Sequence, residues 1–146
     1  MYGNTEQIAE SIGHALSGQS RVLHVKEAKA EDMHGVDRLI VGSPTQGGKA
    51  TKAVADFLDT ISPSVLEDVR VTAFDTRLST KLVGLIGYAA GRILSDLSRK
   101  GGIQIAAPAG FVVRATNGPL QEKELERAAE WARALDRSSH AAGGRP

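Results

Sequence analysis

Residues 38–61 read RLIVGSPTQGGKATKAVADFLDTI, and their pattern decides the architecture. Leu39 to Val41 is a short, nearly unbroken apolar run, the mark of a strand buried on both faces. It enters a Pro/Gly loop, Ser43–Lys49. The loop feeds an amphipathic stretch that sets Val54, Phe57, Leu58 and Ile61 on one helical face. A strand that turns directly into a helix is half of a βαβ unit.

The same alternation extends in both directions. Upstream, Thr5 to Leu16 places Ile8, Ala9, Ile12, Ala15 and Leu16 on one face of a helix, with Asn4 or Thr5 as N-cap and Gly18 as the stop. Arg21–Val25 (RVLHV) alternates as a strand. Downstream, Val69–Phe74 reads as a strand, and Ala89–Lys100 as a helix with Ile93, Leu94 and Leu97 inward. IQIAAPAGFVV (103–113) is strand-like but broken at Pro108. The last helix, Leu120–Leu135, turns Leu125, Ala128, Ala129, Ala132 and Leu135 inward, with Trp131 packing at the core or its edge. RLSTKLVGLIGYAAG (77–91) is ambiguous, because glycines interrupt its apolar run. The reading is one domain over residues 1–136 and a small, polar, disordered tail over 137–146.

Strands alternating with helices predict an α/β fold, a parallel sheet covered on both faces in three layers. Ligands of such sheets sit beyond the carboxyl ends of the strands. Three loops leave those ends: Met1–Thr5, Ser43–Lys49 and Asp75–Lys81.

Composition narrows the chemistry. The chain has 146 residues, 41% apolar and 24% charged, with a net charge of +1 and no cysteine. That excludes disulfides, thiolate catalysis and Cys-ligated zinc, and offers no strong field to nucleic acid. No apolar run is long enough for an integral membrane segment, and the expected location is cytoplasmic. His14, His24, His34 and His140 form no ligand pattern, and no Ser-His-Asp set is evident. SPTQGGKAT fails as a Walker A loop, because Ser43 stands where Gly is needed and Ala50 where Ser or Thr is needed. What remains is a Pro/Gly loop able to lie against a flat ring and bond its polar edge. At the N-terminus, Gly3-Asn4-Thr5 leads into a helix. Judged alone it is an ordinary helix start; it also suits a phosphate monoester, held by backbone N–H groups and short polar side chains.

Together these residues resemble the flavodoxin family. MYGNTEQIA (1–9) is similar to the end of that family's phosphate loop and its first helix, LIVGSPTQGG (39–48) to the third strand and its loop, and AFDTRLS (73–79) to the fourth strand and its loop. GPLQEKELERAAEWARAL (118–135) is similar to the closing helix. The resemblance implies a doubly wound parallel sheet of order 2-1-3-4-5 and an FMN site. Tyr2, Gly3, Asn4 and Thr5 would hold the phosphate. Pro44, Thr45, Gln46 and Gly47 would flank one face of the ring, and Thr76, Arg77 and Leu78 the other. The Gly47 carbonyl would turn toward flavin N5 to stabilise a reduced form. Neither ring-flanking loop carries Trp or Tyr, so Arg77 or Leu78 is expected to cover the ring face. The implied function is electron transfer to a redox partner protein or a small quinone-type acceptor. The alternatives are an interaction module that no longer binds flavin, and a flavin-dependent quinone or protoporphyrinogen oxidoreductase.

One element of the family pattern, strand 1, is missing from this chain. In order 2-1-3-4-5 it lies between Arg21–Val25 and Leu39–Val41. Each buried unpaired N–H or C=O costs ~1–3 kcal/mol, so two facing open edges would rival the ~5–15 kcal/mol of a whole domain. The expectation is an apolar strand ending in Ser or Thr, encoded upstream of Met1; the alternative is a truncated, degenerate relative.

Overall fold

The computed structural model describes residues 3–46, 49–78, 88–115 and 118–143, with side chains as far as 137. Helix α1 spans Asn4–Ala15, strand β1 Arg38–Pro44, helix α2 Lys52–Asp59, strand β2 Arg70–Leu78 and helix α3 Ala89–Arg99. Strands β3 (Ile103–Gln104) and β4 (Ala109–Val113) and helix α4 (Glu124–Gly143) complete the chain, with single 3₁₀ turns at Ala30–Met33 and Pro63–Leu66.

All strand pairs are parallel. β1 runs beside β2 in register from Arg38↔Arg70 to Pro44↔Thr76. β3 and β4 lie on the other side of β2, at its beginning and its end. They are two halves of one strand interrupted before Pro108, as the sequence predicts. The sheet therefore holds the last three positions of the order 2-1-3-4-5. Alternate residues of each strand face opposite layers. Val41, Val71 and Ala73 join Val54, Phe57, Leu58, Ile93, Leu94 and Leu97 beneath α2 and α3. Phe74 and Phe111 join Ile8, Ile12, Ala128 and Ala132 beneath α1 and α4. There Phe74, Phe111 and Trp131 meet edge to face, with centroids 6.0–6.3 Å apart.

Several expectations are corrected. Arg21–Val25 is not a strand: residues 21–24 have no regular structure, and a turn begins at Val25. A strand needs a neighbour to bond, and no described residue lies in the ladder beside this segment. Val22 and Leu23 stay 45% and 40% exposed. β1 and β2 are longer than their apolar runs, because pairing carries both through polar residues to Pro44 and Leu78. The last helix starts at Glu124, after a left-handed Lys123 (φ 71°). Leu125 in its first turn is 42% exposed, while Ala128, Ala132 and Leu135 are buried. Residues 137–143, expected in a disordered tail, continue α4.

The outer edge of β4 is covered. Val112 N–H donates to the Glu124 carboxylate (2.6 Å), and Gln121 N–H donates to the Val112 carbonyl (2.8 Å). Arg127 donates to the Gly110 carbonyl (2.5 Å), and Arg114 N–H to the Pro119 carbonyl (2.9 Å). Burial opposes ionisation of Glu124, but the bonds from Arg127 and Val112 outweigh it and hold its carboxyl below the usual Glu value. At the other side of the molecule, Asp136 accepts from Arg38 (2.9 Å) and from Ser17 N–H (2.7 Å), tying β1 and the end of α1 to α4.

Candidate functional site

Three threonines join the loops at the carboxyl end of the sheet. Thr45 N–H donates to the Thr76 carbonyl (2.8 Å), extending the β1–β2 ladder by one residue. The Thr76 hydroxyl lies 2.8 Å from that of Thr5, which docks the first turn of α1 on the end of β2. Thr45 Oγ1 accepts the Ala89 N–H (3.0 Å) at the start of α3.

The middle loop is pinned at its base. Fully buried Ser43 donates to the Pro44 carbonyl (2.8 Å) and accepts the Thr51 N–H (3.1 Å). Thr51 in turn caps α2 by accepting from Val54 N–H. Gln46 and Lys49 exchange both backbone bonds (2.8 and 3.0 Å), which holds the two flanks of the loop together.

The N-terminus of α1 is open. Its N-cap is Gly3, left-handed at φ 99°, and no side chain caps it. Asn4 and Thr5, expected as caps, are helical residues instead. The first intrahelical bond runs from Gln7 N–H to the Gly3 carbonyl (2.8 Å), so the N–H groups of Asn4, Thr5 and Glu6 have no intrahelical acceptor. They point outward, at the positive end of the helix dipole. Gly118, which the sequence did not single out, sits against this turn. Gly118 (φ 92°) packs against the Asn4 side chain so closely that a Cβ there would lie 2.6 Å from Asn4 Oδ1.

Arg77 does not project freely. Its guanidinium grips the fully buried Asp75 carboxylate through Nε (2.6 Å) and Nη2 (2.8 Å), and Asp75 Oδ2 also accepts the Ala90 N–H (2.9 Å) at the start of α3. The guanidinium stacks on Tyr88, 3.3 Å from the ring centre. Only a residue without a Cβ leaves it room, since a Cβ on Gly110 would fall inside the guanidinium. Of the two residues expected to cover a ring face, Arg77 or Leu78, Arg77 is thus held by Asp75 and Tyr88, and both line the groove. Tyr88 itself was missed. It lies outside the three loops in sequence, and its one signal was its place just before a helix.

Nine of the eleven residues named from the sequence are among those lining one long groove, which runs beside β1 from Arg38 and Arg70 to the carboxyl end of the sheet: Gly3, Asn4, Thr5, Pro44, Thr45, Gln46, Thr76, Arg77 and Leu78. Tyr2 and Gly47, and with Gly47 the expected carbonyl switch, lie outside the described residues. No helix among the described residues is long and apolar enough to cross a membrane.

A family model described as a flavodoxin domain matches residues 1–77, just over half of the chain. No curated protein matches. Among solved structures, oxidised flavodoxin 1 from Bacillus cereus superposes with a TM-score of 0.76 at 19% identity, covering 94% of this chain and 92% of that one. A flavodoxin from the domain Archaea gives 0.76 at 18%, covering 96% and 93%. The rubredoxin oxygen:oxidoreductase of Desulfovibrio gigas also gives 0.76 at 18%, covering 99% of this chain but 35% of that one. At these identities the structural likeness is one of fold.

Proposed function

The chain belongs to the flavodoxin domain family, and from that premise we propose that it binds FMN and exchanges electrons with a redox partner protein or a small quinone-type acceptor. One observation carries the reading. The uncapped N-terminus of α1 and the ends of β1 and β2 are bound together by Thr5, Thr45 and Thr76 at the mouth of one groove. The donor set fits the cofactor's phosphate end: three outward N–H groups, a left-handed glycine allowing close approach, and the Asn4 amide. When bound, FMN supplies the electron-carrying ring, and the protein's part is binding and tuning.

Gly3, Asn4 and Thr5 would hold the phosphate. Pro44, Thr45 and Gln46, on the loop pinned by Ser43, would border one face of the ring. Thr76 and Leu78 would border the other. Arg77 contributes through Asp75: the paired charges fix the end of β2 against α3 and add no net charge beside the ring. The net charge of +1 gives no acidic field for docking to a basic partner, and a cytoplasmic setting fits the reading.

Titration of FMN into the protein tests this proposal, with quenching of flavin fluorescence expected. Absence of quenching, with the first-strand position of the sheet filled, counts against a cofactor role and favours an interaction module. Steady oxidation of a nicotinamide by the loaded protein with a quinone would instead identify an oxidoreductase.

A further inference from the structure

The amino end of the sheet holds a charge arrangement that the carboxyl-end site does not use. Arg38 begins β1 and Arg70 begins β2. The parallel register sets them side by side, with backbones about 4.8 Å apart. Even-numbered residues of both strands face the layer of α1 and α4, as Ile40 and Phe74 do, so both arginines leave the sheet on that face. On its other side Arg70 is in register with Ile103, which brings no charge. Like charges set opposite one another across a sheet are destabilising, so this pair calls for counter-charge. Asp136 on α4 supplies one carboxylate, with Oδ1 accepting from Arg38 (2.9 Å) and Oδ2 from the Ser17 N–H (2.7 Å). Arg70 has no ion pair or side-chain hydrogen bond among the described residues. The side chains of Arg38 and Asp136 are 19% and 21% exposed, and Arg70 is half-buried, so water screens the excess positive charge only in part.

We propose that Arg38 and Arg70 form an oxyanion site at the amino end of the sheet, and that its ligand is a phosphate group. Arg38, Arg70, Ser17 and Asp136 all line the long groove, and their bonds and register place them together at its amino-end mouth. A guanidinium presents its N–H donors in a planar fork that matches two oxygens of an oxyanion. Arg70 keeps that whole fork. A terminal phosphate carries three oxygens, enough to meet the Arg70 fork with two and Arg38 with the third. Asp136 does not exclude it, because its charge is already answered by Arg38 and the Ser17 N–H. The ligand thus balances the one positive charge that Asp136 leaves over. This site stands apart from the outward N–H groups of Asn4, Thr5 and Glu6. Those docks lie by Thr76, and Arg70 and Thr76 are about 20 Å apart along β2.

The site is independent of flavin. Its test is titration of the protein with inorganic phosphate at constant ionic strength, balanced with chloride, read by NMR at the Arg38 and Arg70 Nε–H and the Ser17 amide. Saturating shifts at both arginines are expected. Arg70→Met should weaken binding by about tenfold or more, and Arg70→Lys, which keeps the charge but not the fork, should retain only part of it. In chloride alone Arg70→Met should melt no lower than the parent, because it removes a like charge beside Arg38. In phosphate the parent should gain more than the variant. A second titration with adenosine monophosphate separates the sources: tighter binding than inorganic phosphate assigns the site to a phosphorylated metabolite, and equal or weaker binding to free phosphate. Shifts that grow without saturating overturn the proposal, as do shifts confined to Asn4–Glu6 or unchanged affinity in the Arg70→Met variant. A lower melting point of that variant in chloride also overturns it, by showing that Arg70 already has a structural partner.

Discussion

Replacing Asp75 by Asn tests whether the Asp75–Arg77 pair holds the end of β2. Asp75 is fully buried, while 20% of the Arg77 side chain is exposed. Asn keeps an oxygen for Ala90 N–H but loses the charge that balances the guanidinium. Removing one partner of a buried pair costs ~3–5 kcal/mol, and the partial exposure of Arg77 places the expected loss near the lower end, about 3 kcal/mol. With a urea dependence of about 1–3 kcal/mol per molar for a domain this size, the unfolding midpoint should fall by roughly 1–3 M. Arg77→Met should cost a similar amount, because it leaves the carboxylate buried and unbalanced. The double variant should cost less than the sum of the two by at least about 1 kcal/mol, as coupled neighbours do. Losses that add to within about 0.5 kcal/mol in the cycle would refute the reasoning, as would a D75N midpoint equal to that of the parent.

Gly118→Ala should weaken FMN binding by about tenfold or more, roughly 1.4 kcal/mol, because its Cβ collides with Asn4; fluorescence titration reads it. Thr76→Val removes the hydroxyl facing Thr5 and should cost about 0.5–1.5 kcal/mol of stability in urea unfolding. Phe111→Ala, at a fully buried ring in the aromatic trio, should cost about 3–5 kcal/mol, with a change in Trp131 fluorescence. The Glu124 and Asp136 carboxyls both titrate below their usual values when folded. For Asp136, burial works against that shift, and Ser17 N–H and Arg38 overcome it. Folded-state pKa values below the unfolded ones mean that their stability is present above the usual carboxylate range and lost as pH falls through it. Thermal melts should therefore weaken as pH drops from about 5 toward 3, and Glu124→Gln should flatten part of that slope.

The βα alternation was legible because period-2 and period-3.6 patterns are local. Val54, Phe57, Leu58 and Ile93 declared their faces within one turn of sequence. Three of the loops that meet at the groove followed from the rule that parallel sheets bind beyond their carboxyl ends. Arg21–Val25 shows where locality stops: its alternation is that of a strand, but strand formation depends on a neighbour, and no described residue supplies one in the ladder. The Asp75–Arg77–Tyr88 arrangement was illegible for a related reason. Asp75 and Arg77 are two apart on a strand, and what unites them with Tyr88 is the approach of α3 and the bare Gly110. Gly118 over Asn4 joins residues more than a hundred positions apart, which no window on the sequence can see.

The sealed β4 flank also bears on how this molecule meets copies of itself. Growth of a β ribbon needs a receptive strand on both flanks, so that each added unit exposes a new one. Here Glu124, Gln121 and Arg127 occupy the outward backbone groups of Val112 and Gly110, so a ribbon cannot propagate through that flank. Acidification that neutralises Glu124 would loosen the seal and expose the Val112 N–H to another chain.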